Sequence, residues 1–104
     1  MGKVRVIWTR SALNELRNIY DYYLENVGHQ MAENIRTNVL MATGQLSSEP
    51  RSGIPEPSLS NEAKQYRSVI RGHYKVIYRM EGDSVMVVDV FDTRQDPPKI
   101  KRHA

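Results

Sequence analysis

The order of periodic segments predicts an α+β domain arranged β-α-α-β-β-β, in which a small antiparallel sheet is packed on one side by an N-terminal helical hairpin. Three observations carry this expectation. Two apolar stripes at helical spacing flank Gly28-His29; three alternating segments follow one another after residue 64, broken at Gly72 and at Gly82-Asp83; and a Pro-rich stretch divides the two halves. The chain has 104 residues, of which 39% are apolar and 26% charged. That is enough for one core and too little for two, so a single domain over residues 1–104 is expected, with a polar tail from about residue 95.

Lys3 to Thr9 reads as a short strand, because Val4, Val6 and Trp8 alternate with Lys3, Arg5 and Thr9. Thr9 or Ser11 can cap the helix that follows. In it Ala12, Leu13, Leu16, Ile19, Tyr20, Tyr23, Leu24 and Val27 recur every three or four residues, and Gly28 is placed to end it. The tyrosines of this stripe are expected in the core. A second stripe, Ala32, Ile35, Val39, Ala42 and Leu46, belongs to a helix antiparallel to the first, since the join is so short. From Ser47 to Asn61, Pro50, Pro55, Pro57 and Gly53 block regular structure, and a long loop is expected.

Gln65–Arg71, His73–Met80 and Ser84–Thr93 are then three strands whose short joins allow only antiparallel hairpins. A two-residue loop at Gly82-Asp83 pairs Glu81 with Ser84, Tyr78 with Val87, Tyr74 with Phe91 and His73 with Asp92. Strand parity places Tyr74, Val76, Tyr78, Met80, Val85, Val87, Asp89 and Phe91 on one face, and His73, Lys75, Ile77, Arg79, Met86, Val88, Val90 and Asp92 on the other. If the preceding hairpin turns through three residues around Gly72, Arg67 and Arg71 join the Lys75 face. Both faces carry apolar residues, so parity leaves open which one packs on the helices.

Composition excludes several function classes. With no cysteine there is no disulfide framework, thiolate metal site or thiol nucleophile. His29, His73 and His103 lie far apart without ligand spacing, so neither a metal nor a cofactor is expected. No apolar run is long enough for a membrane span or an export signal, and a cytoplasmic protein without a membrane partner is expected. The net charge of +3 is unevenly spread, with −1 over residues 1–63 and +4 over residues 64–104. The second half can therefore attract an acidic partner or a phosphate backbone, although such an excess also serves solubility.

WTRSALNEL at the start of the first helix, IYDYY within it, YRSVIRGHYKVIYR across the hairpin and VFDTRQDP at the last strand together resemble the RelE/ParE toxins of bacterial type II toxin–antitoxin pairs, the class of plasmid stabilisation proteins. The resemblance covers nearly the whole chain. It implies a toxin neutralised by a cognate antitoxin, in a hetero-oligomer of the two. The antitoxin is expected to present an acidic, amphipathic C-terminal segment to the helices or to the apolar middle of the free sheet face. RelE-like members cut messenger RNA on the ribosome, whereas ParE-like members are associated with DNA gyrase.

Metal-free RNA cleavage needs cations beside the phosphate and a proton-transfer group. The resemblance matches Lys75 and Arg94 to the cations of RelE-like nucleases, with Arg67 and His73 as further members of the set. Their C-terminal Tyr or His is not matched, because Gln95-Asp96-Pro97-Pro98-Lys99-Ile100 offers neither, and His103 is the remaining substitute. As a binding surface the same region offers Arg67, Arg71, Lys75, Arg79 and Arg94, and the resemblance assigns the Lys75 face to ligand. Asp92 beside His73 would favour the charged imidazole. Three readings stand: a ParE-like toxin acting by binding, a ribosome-dependent ribonuclease, and a non-toxic protein that keeps only its interactions.

Overall fold

A computed structural model of the chain describes residues 3–56 and 65–93. Strand β1 (Arg5–Trp8) leads into helices α1 (Arg10–Asn26) and α2 (His29–Gln45), and strands β2 (Ile54–Pro55), β3 (Tyr66–Arg71), β4 (Tyr74–Glu81) and β5 (Ser84–Asp92) follow. Thr9 caps α1, its hydroxyl accepting from the Ala12 N–H at 3.1 Å. The helix ends where the N–H groups of Val27 and Gly28 both donate to the Tyr23 carbonyl, and Gly28 turns the chain at φ 142°, where a side chain would be strained. The two helices lie side by side as the short join demands.

The five strands form one sheet in the order β1-β5-β4-β3-β2. The β3-β4-β5 meander is antiparallel, as expected, but β1 pairs parallel with β5, from Arg5 opposite Ser84 to Trp8 opposite Val87. The sheet is therefore mixed. The expected loop also holds a strand that the prolines conceal: Ile54 pairs with Ser68 and Pro55 with Arg67. Pro55 can sit there because β2 is an edge strand and a missing N–H on the open side costs no ladder bond.

Two register details correct the expected faces. The β3–β4 turn takes two residues, Gly72 and His73, with Gly72 at φ 59°, so that Arg71 opposes Tyr74 and Arg67 opposes Tyr78. Cross-strand partners share a face. Arg67 and Arg71 thus leave the Lys75 face. In the next hairpin Glu81–Ser84 and Tyr78–Val87 pair as expected, but a bulge follows, and Ile77 opposes Asp89, Lys75 opposes Phe91 and Tyr74 opposes Asp92. One extra residue reverses parity beyond it. Asp89 and Phe91 therefore join the Lys75 face, Val90 and Asp92 join the opposite one, and His73 lies in the turn rather than beside Asp92.

The helices pack on the Tyr74 face. Ala12 and Leu16 of α1 and Val39 of α2 meet Tyr74, Val76, Tyr78, Val85, Val87 and Val90 in one buried cluster, with Leu46 beneath the end of α2. The far face carries a second, smaller cluster of Tyr66, Ile77, Val88 and Phe91. Its apolar middle is not the open surface expected, since Ile77 is completely buried.

Tyr78 ties the segment after α2 to the sheet. Its buried hydroxyl donates to the Pro50 carbonyl at 2.8 Å and accepts from the Gly53 N–H at 2.9 Å. Burial raises its pKa above the usual tyrosine value, against the smaller opposing effects of the Gly53 N–H and Arg67. Its ionisation is thus delayed by folding, and the linked stability is intact below about pH 10 and lost as pH climbs through the higher folded pKa. Tyr78→Phe should be less stable than the parent at neutral pH by about 1–3 kcal/mol, because two backbone groups lose their partner. Melting temperatures followed from pH 8 to 11 should show that deficit shrinking above about pH 10; a deficit constant with pH would contradict the assignment.

Candidate functional site

Among the described residues, the cations singled out from the sequence do not converge. Lys75 and Arg79 point from β4 to the far face, while Arg67 and Arg71 stand on the helix side of β3. Each is engaged within the chain. Lys75 Nζ lies 2.9 Å from Glu56 Oε1, with 20% of the lysine side chain and none of the glutamate side chain exposed, and the ammonium sits 5.8 Å from the centre of the Phe91 ring. Arg79 Nε bonds Glu81 at 3.0 Å. Arg67 donates to the Gly53 carbonyl at 2.7 Å, bracing the segment that Tyr78 holds. Arg71 donates to Gln45 Oε1 at 2.9 Å.

His73 is exposed in the β3–β4 turn, where its carbonyl accepts from the Thr93 N–H at 2.7 Å. With Arg71 it borders a pocket of about 240 Å³ floored by Tyr23, Ile35, Val39 and Tyr74. Arg94 and His103 fall outside the described residues. Of the proposed nuclease set, then, Lys75 and Arg67 lie on opposite faces, His73 lies in a turn, and both lysine and arginine already serve internal acceptors. Glu56 is the site residue that sequence reasoning missed. Its signal was hidden because a glutamate between two prolines in a loop reads as solvent-facing.

The outer side of the helical hairpin is more open than the stripes suggest. Leu13 is 52% exposed and Leu40 37%. They flank a groove of about 260 Å³ together with Leu16, Arg17, Tyr20 and Arg36. The Tyr20 hydroxyl donates to Glu33 Oε2 at 2.7 Å across the two helices, and that bond to a carboxylate is the main reason its pKa lies above the usual value. Apolar floor and arginine flanks make this groove complementary to an amphipathic, acidic helix. No helix among the described residues is long and apolar enough to cross a membrane.

This arrangement of helical hairpin on a five-stranded sheet is that of toxins from toxin–antitoxin pairs. The fold is similar to the chromosomal ParDE toxin–antitoxin system from P. aeruginosa, at 21% identity and TM-score 0.71, covering 86% of this chain and 96% of that one. The toxin–antitoxin complex RelBE2 from Mycobacterium tuberculosis matches at 25% identity and TM-score 0.60, over 88% of this chain and 93% of that one. E. coli toxin RelE, as a double arginine-to-alanine mutant in the free state, matches at 15% identity and TM-score 0.57, over 98% of this chain and 94% of that one. No curated protein matches the sequence. Residues 6–97 match the family of ParE toxins of the type II toxin–antitoxin system parDE, and the chain belongs to that family.

Proposed function

We propose that this toxin acts by binding its target, with DNA gyrase as that target, and that a cognate antitoxin neutralises it by laying an acidic amphipathic segment along the α1–α2 groove. One observation supports the choice of binding over RNA cleavage: among the described residues, the two cations that cleavage would need, Lys75 and Arg67, are divided between two faces of the sheet and held by Glu56 and Gly53. A phosphate approaching Lys75 would have to displace a buried carboxylate. Family membership supports the gyrase target and the antitoxin partner, and the exposed Leu13 and Leu40 between Arg17 and Arg36 support the docking groove.

Expression in bacteria without an antitoxin tests the reading. Gyrase poisoning should induce the SOS response and filamentation while messenger RNA stays intact. Transcripts cut during translation would instead establish the ribonuclease, and normal growth would leave a protein that only interacts.

A further inference from the structure

The pocket of about 240 Å³ beside the β3–β4 turn has a floor and a rim of opposite character. Its floor is apolar and aromatic. The Tyr23 and Tyr74 rings meet there edge to face, with centroids 6.5 Å apart at 75°, and Met31, 44% exposed, forms part of the wall. The rim is basic. Arg71 and His73, two residues apart across Gly72, both border the pocket and both are exposed. Each is anchored by its surroundings: the His73 carbonyl accepts from the Thr93 N–H at 2.7 Å, and Arg71 donates to Gln45 Oε1 at 2.9 Å and to the Ile70 carbonyl at 2.8 Å. Those two arginine bonds use two of the five N–H groups of a guanidinium and leave three.

The cationic rim calls for an anion, and a planar guanidinium suits a carboxylate, which it can grip with two parallel hydrogen bonds. The floor calls for an apolar group, best an aromatic ring set at an angle to the two tyrosines. Size narrows the choice further. An apolar cavity of roughly 150 Å³ accepts benzene, so about 240 Å³ holds one aromatic side chain with its carboxylate, and is below the roughly 300–1,000 Å³ of pockets for larger ligands. The last residue of a polypeptide carries its side chain and its free carboxylate on the same carbon and so brings both groups at once. We infer that this pocket receives a C-terminal aromatic residue of a partner polypeptide, the ring against Tyr23 and Tyr74 and the carboxylate on Arg71 and His73. The pocket shares no residue with the groove between Leu13 and Leu40, and the inference holds whichever cellular target the toxin has.

The test is a titration of the full chain with acetyl-Gly-Gly-Phe bearing a free carboxylate, read by the backbone amide signals in NMR spectra. Saturable shifts at Ile35, Asn38, Gly72 and His73 are expected. The C-terminal amide of the same peptide should bind at least about tenfold more weakly, and so should acetyl-Gly-Gly-Ala acid, which keeps the charge and lacks the ring. The acid peptide should lose as much on Arg71→Gln, and on Asn38→Glu, which sets a like charge in the pocket wall. Both positions are exposed, and unchanged signals elsewhere report an intact fold. Absence of saturable shifts up to the peptide's solubility, shifts confined to the groove between Arg17 and Arg36, equal binding of the amide or of the alanine peptide, or indifference to either substitution would overturn the inference. So would equally tight binding of acetyl-Gly-Phe-Asp-Gly-amide, which carries its carboxylate on an internal residue. A full chain with Ile100→Ser, if it produced the same shifts without any peptide, would place the chain's own tail in the pocket instead of a partner and overturn it as well.

Discussion

Lys75→Ala should lower unfolding stability by about 3 kcal/mol, a large share of what holds a domain of this size together. The cause is the partner left behind. Glu56 has no exposed side-chain surface, and its carboxylate loses the ammonium at 2.9 Å. Removing an ammonium from so close a contact with a buried carboxylate is costly, whereas replacing both members of such a pair by apolar groups is often neutral or stabilising. The double variant Lys75→Met with Glu56→Leu should therefore recover most of the loss in urea unfolding, and Glu56→Leu alone should be damaging, because Lys75 is 80% buried in the same contact. A Lys75→Ala protein within about 0.5 kcal/mol of the parent would contradict the ion pair's importance. The result bears directly on function. Loss of toxicity on substituting Lys75 alone reports loss of fold; retention of toxicity in the double variant would show that the ammonium has no chemical role in poisoning the cell.

Gly53→Ala should be comparably damaging, for steric reasons. A Cβ at Gly53 would lie 2.6 Å from the Tyr78 hydroxyl and 2.7 Å from the Ser68 carbonyl oxygen. The second of these is backbone in a paired strand and cannot swing aside, so β2 must move away from β3. Overpacking of this kind costs about 1–3 kcal/mol, and the hydrogen bond from the Gly53 N–H to Tyr78 is strained with it. Glu56 follows immediately, held by its N–H to the Tyr66 carbonyl at 2.9 Å, and should be loosened too. Limited proteolysis should then cut between residues 47 and 56 faster than in the parent. Gly44→Ala is the matched control. Nothing lies within 4 Å of its would-be Cβ and it sits inside α2, so the same chemical change there should stabilise by about 0.5–1 kcal/mol. Equal effects at the two positions would refute the steric account.

Helices and meander were legible in the amino-acid order because their signals are repetitive. Ala12, Leu16 and Val39 mark their faces at helical spacing, and Gly82-Asp83 marks a turn of known length. What parity could not supply was a count of one. A turn of two residues instead of three at Gly72 moves Arg67 and Arg71 to the other face, and a bulge before Ile77's partner does the same to Asp89 through Asp92. Neither leaves a compositional trace. Val87-Val88 looks like any pair of strand residues until its partner strand is known. The tyrosine stripe was half read: Tyr23 packs towards Tyr74 as a core ring should, while Tyr20 is half-buried at the outer groove with its hydroxyl donating to Glu33. Glu56 was invisible because its significance depends on a lysine nineteen positions away on a strand it does not pair with.

The parallel seam between β1 and β5 has a consequence for how the toxin comes into being. Strand β1 has no template until β5 has been made, since Arg5 waits for Ser84 and Trp8 for Val87. Helices α1 and α2 meanwhile have only each other, and the valines that will cover Leu16 have not yet been synthesised. Contacts so distant along the chain form late and slowly. A ribosome translating this message therefore carries an unassembled sheet until β5 has been made, and a toxin built this way gains its fold all at once, after a delay in which a partner already present can meet it.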